Sequence, residues 1–455
     1  MKTFDAIVIG SGQAGNPLSH RLADKGWKVA LIEREHLGGS CVNYGCTPTK
    51  TMLAHAQVAH YVRRAPDFGI EVSDFRIDLA RIVERKNRIV HQWRSGQEKH
   101  AASRPGITLY RAAARFAGPK EIEVDGERLT AKHIFINTGT RPRVLPIKGI
   151  EEVPYLTNRN IMDLTEVPDH LLVVGGSYVG LEFGQMFRRF GSRVTVVEFA
   201  EQIVPREDED VAGALRDALE AEGIEFQTGA EVAAVENQNG KLRIAVRDRA
   251  TGRTRTVEAS HILLAAGRTP NTDDLGLEQA GIEHRDGWIK VNEHLETNVP
   301  GVYALGDVNG GPAFTHISYN DFQIVYHNLF NEKKLSTAGR IVPYALFTDP
   351  ELGRVGITEK EARQAGKKIR VGSIPMSRVA RAIERDETAG LMKVVIDAET
   401  ERILGAAILG WGGGELVQTL MALMMAGAPW KLFYRAVYIH PTMTEGFFAL
   451  MDSVR

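Results

Sequence analysis

The chain has 455 residues, of which 43% are hydrophobic and 25% charged, the composition of a globular protein with room for about three domains. A formal charge of −1 gives no electrostatic footprint for nucleic acid or an anionic membrane, and no apolar stretch reaches the ~18 residues that span a bilayer. The two cysteines, Cys41 and Cys46, have no second C-x-x-C or H-x-x-x-H beside them, which argues against a zinc site and leaves metal ligands unassigned.

In chain order, residues 4–9 form an apolar run of the kind found in buried parallel strands. The run ends in glycines, where a signal peptide would end in a small-residue cleavage site, so the expected location is cytoplasmic. Gly10, Gly12 and Gly15 follow in the spacing G-x-G-x-x-G, then a helical stretch to about Lys25, a strand over 27–32 and Glu33. In a strand–glycine loop–helix unit, Gly10 makes the tight turn, Gly12 lets backbone approach a pyrophosphate and Gly15 admits close helix–strand packing. Glu33 stands where a carboxylate takes ribose hydroxyls. Pro17 falls within the first turns of the helix, where a missing N–H does least harm.

Residues 38–50 read GGSCVNYGCTPTK and hold both cysteines. Gly38 and Gly39 let the backbone pass close to another group. At this spacing two thiols can close a disulfide across a distorted helical turn, if the backbone brings them into range. A redox pair against a flavin is the simplest reading; two unrelated buried cysteines is the plain alternative. In a cytoplasmic protein such a pair is more often catalytic than structural.

This stretch resembles the redox motif of the flavin-dependent pyridine nucleotide–disulfide oxidoreductases, a family that includes dihydrolipoamide dehydrogenase, glutathione reductase and mercuric reductase. The resemblance runs from Thr3 to the C-terminus and is specific for the superfamily more than for any member. It implies that Lys50 lies near the reactive flavin nitrogen and pairs with a glutamate. Residues 51–100 read as helical, with Arg81, Arg85, Lys86 and Arg88 as a solvated face. HIFINTGTRP resembles the family segment where the FAD domain hands over to the next, placing Thr138 and Gly139 at the cofactor.

A second glycine unit then repeats the first at constant offset: Gly10 maps to Gly175, Gly15 to Gly180 and Glu33 to Glu198. Gly12 maps to Ser177, whose side chain would hold backbone away from a pyrophosphate. FAD is therefore expected in the first unit and an exchanging NAD(P)H in the second. Glu198 would bond a ribose 2′-hydroxyl and repel a 2′-phosphate, while Phe199 and Ala200 bring no cation and Arg206 comes too late, so NADH is favoured and NADPH is possible. By resemblance, Tyr178 lids the nicotinamide pocket and Glu182 is the partner of Lys50.

HILLAAGRTPNT, with Gly267, closes that domain. ETNVPGVYALGDVNGG resembles the second FAD motif: a strand over 302–305 delivers Gly306 and Asp307, the latter to ribityl hydroxyls. A helix from near Ala313 would point its positive end at the flavin pyrimidine, and His316 in its first turn is expected to cap or pack, with contact to the flavin ring as the alternative. From about Arg340 short β-rich segments precede a helix over 415–428, whose Met421, Met424 and Met425 are expected to be buried packing. His440 precedes a proline, which disfavours helix, and Glu445 is near enough to orient its imidazole. His440-Pro-Thr-x-x-Glu445 resembles the family's acid/base motif, in which the histidine reaches the cysteines of the partner subunit.

The expected fold is α/β, with two Rossmann-like dinucleotide-binding domains, for FAD and NAD(P), and a C-terminal α+β dimerisation domain. The expected segments are 1–150 and 271–339 for FAD, 151–270 for NAD(P)H and 340–455 for the interface. The expected function is a homodimeric reductase that carries electrons from NADH through FAD to Cys41–Cys46 and on to a small disulfide or dithiol. Cys46 would face the flavin, Cys41 would exchange with substrate, and His440 with Glu445 would move the proton. A metal-ion reductase acting on Hg(II) or Cu(II), an oxidant reductase, and a non-enzymatic redox-sensing flavoprotein are the alternatives.

Overall fold

The computed structural model describes residues 1–455. It divides into two compact units. The first comprises Met1–Met52, Ala80–Arg143 and Gly267–Arg340. The strand Lys2–Ile9 lies at its centre because Ala6, Ile7, Val8 and Ile9 are buried without alternation, the pattern of a strand covered on both faces. It pairs in parallel with Val29–Ile32 on one side and Glu127–Ile136 on the other. Ile107–Tyr110 extends one edge, and Val302–Ala304, from much later in the chain, pairs in parallel with Glu127–Ile136. Glu121–Val124 and Ala114–Gly118 continue from the near end of Glu127–Ile136 as an antiparallel meander. The strand expected over 27–32 starts later, at Val29, because the Trp27 N–H caps the preceding helix through Leu22 O at 3.2 Å.

The second unit comprises Leu53–Leu79, Val144–Ala266 and Ile341–Arg455. Its four-stranded parallel sheet runs Ile224–Gln227, Arg193–Val197, His170–Val174, His261–Leu264, and a three-stranded antiparallel meander covers Ala230–Gln238, Lys241–Asp248 and Thr254–Ala259. The sequence repeat is thus a repeat of parallel sheet plus meander. A five-stranded antiparallel sheet follows, in the order Tyr344–Leu346, Glu351–Gly356, Ile403–Gly410, Leu391–Asp397, Ile369–Pro375. The helix Gly413–Met425 lays Leu416, Val417, Leu420 and Leu423 on that core, a helical apolar stripe. Gly427, at φ 62°, takes the left-handed turn that stops it short of Ala428.

Three further expectations change. The helical span over 51–100 is two helices, Cys46–Arg64 and Leu79–Ser103; Pro66 and the left-handed Gly69 break it around the short turn Ala65–Phe68. The basic run is not a uniform solvated face: Arg81, Arg85 and Arg88 are exposed while Lys86 is buried. Met421 and Met424 pack on the C-terminal core, but Met425, one step round the helix, is 72% exposed. No helix is long and apolar enough to cross a membrane, and no group of three His, Cys, Asp or Glu side chains could hold a metal ion.

Candidate functional site

In the first unit, Gly10 has φ 96°, which only glycine takes without strain, and a Cβ there would lie 2.3 Å from Asn137 O. A Cβ on Gly15 would lie 2.1 Å from Gly10 O. Asn137 is buried and joins three segments: its Oδ1 accepts from Gly15 N at 2.9 Å and its Nδ2 donates to Leu305 O at 2.8 Å. A Cβ on Gly12 would meet that Oδ1 at 2.9 Å. Gly12 is therefore required by a protein side chain, and not only by a phosphate. The second unit shows why serine is tolerated there: Gly175 lies on Ala265 O as Gly10 lies on Asn137 O, so alanine occupies the place of Asn137 and leaves room for Ser177.

Gly39 has φ 60° and its Cβ would meet Gly12 Cα at 2.8 Å, so the cysteine segment touches the first loop backbone to backbone. Glu33 accepts from Ser11 N at 3.0 Å, Ser11 Oγ at 2.7 Å and Glu35 N at 2.9 Å. Glu198 repeats this in the second unit, accepting from Gly176 N at 2.6 Å and Ala200 N at 2.8 Å. Each acid braces its own glycine loop.

The cysteines bridge two helices. Cys41 lies in Gly39–Asn43, and Cys46 begins Cys46–Arg64 after the break at Tyr44 and Gly45. Both are thiols, hydrogen-bonded to each other. That bond, then burial and the Cys46 charge, push the Cys41 thiol well above its ordinary value, against Thr315 and Lys50, which favour the thiolate. Cys46 Sγ shares a hydrogen bond of 3.2 Å with Thr315 Oγ1, at the first residue of the helix Thr315–Phe330. That helix starts after Ala313 because Phe314 is extended; His316 stacks on Phe314, at 5.4 Å between ring centroids.

Two contributors escaped the sequence reading. Thr315 carries no motif of its own. Arg268, next to Gly267, donates to Thr140 Oγ1 at 2.6 Å and Thr140 O at 2.9 Å. Burial lowers its pKa, with the charges of Asp307 and Cys46 acting in the opposite sense. Asp307 accepts from Thr140 at 3.0 Å through one oxygen, which leaves the other for a ligand. Thr138 Oγ1 is buried without a protein partner, between Asn137 and Gly139, and Gly139 takes φ 64°. Gly306, at φ 70°, could not carry a Cβ, which would sit 2.3 Å from Ser318 Oγ. An orphaned hydroxyl, a half-used carboxylate and loops without side chains fit a bound dinucleotide.

In the second unit Gly180 packs so closely that its Cβ would lie 1.9 Å from Gly175 O. Tyr178 opens the helix Tyr178–Phe190 and meets Tyr344 edge-on at 5.6 Å. Tyr344 donates to Glu207 at 2.5 Å, and Glu207 is ion-paired with the buried Arg354. Tyr178 is thus anchored to a buried charge cluster. Glu182 is buried and accepts from Phe347 N at 3.0 Å. His440 Nδ1 meets both oxygens of Glu445, at 2.9 and 3.0 Å, while the histidine side chain stays 68% exposed. The carboxylate holds the proton on Nδ1 and leaves Nε2 as the basic nitrogen. Cys41, Cys46, Lys50, Thr138, Gly139, Gly267, Gly306 and Asp307 therefore belong to the first unit; Gly175, Tyr178, Gly180, Glu182, Glu198, His440 and Glu445 belong to the second.

Two dinucleotide loops in one chain, one of them against a dithiol, define a nucleotide-linked oxidoreductase. The chain belongs to the pyridine nucleotide-disulphide oxidoreductase family, whose pattern matches residues 4–321, with the family's dimerisation domain over 342–450. It is 36% identical to a dihydrolipoyl dehydrogenase of Thermus scotoductus, over 100% of this chain and 98% of the relative. It is 34% identical to a mercuric reductase of Staphylococcus aureus, over 97% and 81%. The solved Cu(II) complex of the HOCl-induced flavoprotein disulfide reductase RclA from Escherichia coli superimposes with a TM-score of 0.90 at 34% identity, covering 99% of each chain. The protein is thus an FAD-dependent NAD(P)H oxidoreductase of the disulfide- or metal-ion-reducing kind, with the two-Rossmann fold and the dimerisation domain.

Proposed function

We propose that the chain is an NADH-preferring reductase that works through a Cys41–Cys46 disulfide on a small disulfide or dithiol of the dihydrolipoamide type, as a homodimer. The observation that carries this reading is the dithiol set against the first glycine loop: Cys41 and Cys46 are hydrogen-bonded to each other, Cys46 Sγ shares a hydrogen bond of 3.2 Å with Thr315 Oγ1, and Gly39 brings the cysteine segment onto Gly12. FAD and NADH, when bound, supply the two-electron relay that opens the disulfide. The first glycine loop, Glu33, Gly39, Thr138, Gly139, Gly306 and Asp307 hold FAD; Gly175, Gly180, Glu198 and, as a gate, Tyr178 hold the nicotinamide nucleotide, with Gly267 at the return to the FAD domain. Lys50 supplies positive charge next to the dithiol. Cys41 is the exchanging thiol. It needs a base to become a nucleophile, and His440 of the partner subunit, oriented by Glu445, takes its proton. Thiol–disulfide exchange then joins Cys41 to substrate, and Cys46 resolves the mixed disulfide.

Reduction of Cu(II) or Hg(II) is the second reading, favoured by full-length similarity to a reductase solved with Cu(II) and by the mercuric reductase relatives. The test is an anaerobic screen under NADH with lipoamide, glutathione disulfide, Hg(II), Cu(II) and quinones. Turnover of lipoamide that is lost in Cys41→Ser supports the first reading. Turnover of a metal ion alone replaces it with the second. Flavin reduction with no cysteine-dependent acceptor would overturn both.

A further inference from the structure

The residue after Glu198 carries a cation on its ring, one that arrives from far along the chain. Glu198 follows the strand Arg193–Val197 and is held by the N–H groups of Gly176 and Ala200. Phe199, between Glu198 and Ala200, leaves 57% of its surface exposed. The Arg249 guanidinium carbon lies 3.7 Å from the centroid of the Phe199 ring, and Nη1 donates to Phe199 O at 3.0 Å. Arg249 follows the strand Lys241–Asp248 of the meander. Its N–H donates to Gly229 O at 2.9 Å, and Gly229 N–H donates to Ala200 O at 2.7 Å. Backbone ladder, aromatic stacking and a carbonyl bond therefore fix this exposed arginine, and it pairs with no carboxylate. Arg206, the nearer cation in sequence, instead acts electrostatically on Tyr178.

We propose that Arg249 is a specificity-determining residue for the nicotinamide nucleotide, serving the 2′-phosphate of NADPH and offsetting part of the Glu198 repulsion. This rests on the assignment of the Gly175–Glu198 loop to that nucleotide. The adenosine ribose lies at a carboxylate in Glu198's position, and a cation close by accommodates a 2′-phosphate. A guanidinium stacked on Phe199 stands one residue beyond that carboxylate and keeps most of its donors for the phosphate oxygens. The chain accordingly accepts both nucleotides, with a narrower preference for NADH than Glu198 alone would set.

The test compares kcat/KM for NADH and NADPH in wild type, Arg249→Gln, Arg249→Lys and Glu198→Ala holoenzyme. It is joined by calorimetric binding of 2′,5′-ADP and of 5′-AMP, which needs no turnover. Arg249→Gln should lower the NADPH:NADH ratio about tenfold and weaken 2′,5′-ADP by a similar factor, with a much smaller change for 5′-AMP. Arg249→Lys should fall between, and Glu198→Ala should raise the ratio. Equal weakening of both adenosine ligands, no weakening of either, or a wild type that binds no 2′,5′-ADP overturns the proposal. If neither nucleotide reduces the flavin, the proposed function fails, while the calorimetric pair still reports on Arg249.

Discussion

Asn137 should decide whether residue 12 can carry a side chain. In wild type a Cβ on Gly12 would lie 2.9 Å from Asn137 Oδ1, and that amide is pinned by Gly15 N and Leu305 O. Gly12→Ser should therefore cost about 1–3 kcal/mol through overpacking. Asn137→Ala removes the obstacle but strands a buried N–H and a buried carbonyl, at about 1–3 kcal/mol each. The two losses should not add. With the amide gone the first loop resembles the second, where Ala265 holds the place of Asn137 against Gly175, so the double mutant should recover about 1–2 kcal/mol of coupling. The assay is thermal unfolding of FAD-saturated protein, followed by flavin fluorescence and circular dichroism. Each kcal/mol should move the midpoint by roughly 2–4 °C for a domain of this size. If Gly12→Ser costs as much in the Asn137→Ala background as in wild type, the amide is not what excludes the side chain, and the phosphate argument regains its place.

Cys41→Ser should leave the Cys46 thiolate beside oxidised FAD and show long-wavelength absorbance, whereas Cys46→Ser should lack it; both should lose disulfide reduction, and full activity in Cys41→Ser would refute the exchange role. Co-expression of Cys41→Ser with His440→Ala should restore up to half the wild-type activity per mixed dimer, and no recovery in proven heterodimers would reject a shared site. His20 should give the fold an acid limb. It lies on the helix Gly15–Asp24 that opens at the first glycine loop, is buried without a hydrogen-bond partner, and packs tilted against His100 with ring centroids 4.4 Å apart, near the Arg104–Asp24 pair. Burial, then the charges of His100 and Arg104, lower its pKa to about 4. A base depressed in the folded state contributes its full stability above the unfolded pKa of about 6.5 and loses it as pH falls towards 4, by up to about 3 kcal/mol. Denaturant midpoints should drop across that window, and the drop should shrink in His20→Gln; an unchanged slope would refute the assignment.

The glycine loops were legible because their demands are local. A positive φ at Gly10 or Gly175 and a helix start against a carbonyl at Gly15 or Gly180 leave a spacing that any reader of the chain can find. The paired Glu33 and Glu198, the Cys41–Cys46 stretch and the His440–Glu445 contact are likewise short-range in sequence, and each leaves a pattern. Tertiary structure decided what had no pattern. Asn137 sets the glycine at 12 because it reaches back to Gly15 and forward to Leu305. Thr315 and Arg268 act on a sulfur hundreds of positions earlier, and Lys86 turns inward from a run of exposed charges. Arg249 comes to lie on Phe199 only because the meander returns its strand end to the parallel sheet. Periodicity and propensity describe neighbours along the chain, whereas the charges around Cys46 and the cation on Phe199 depend on distances that only folding creates.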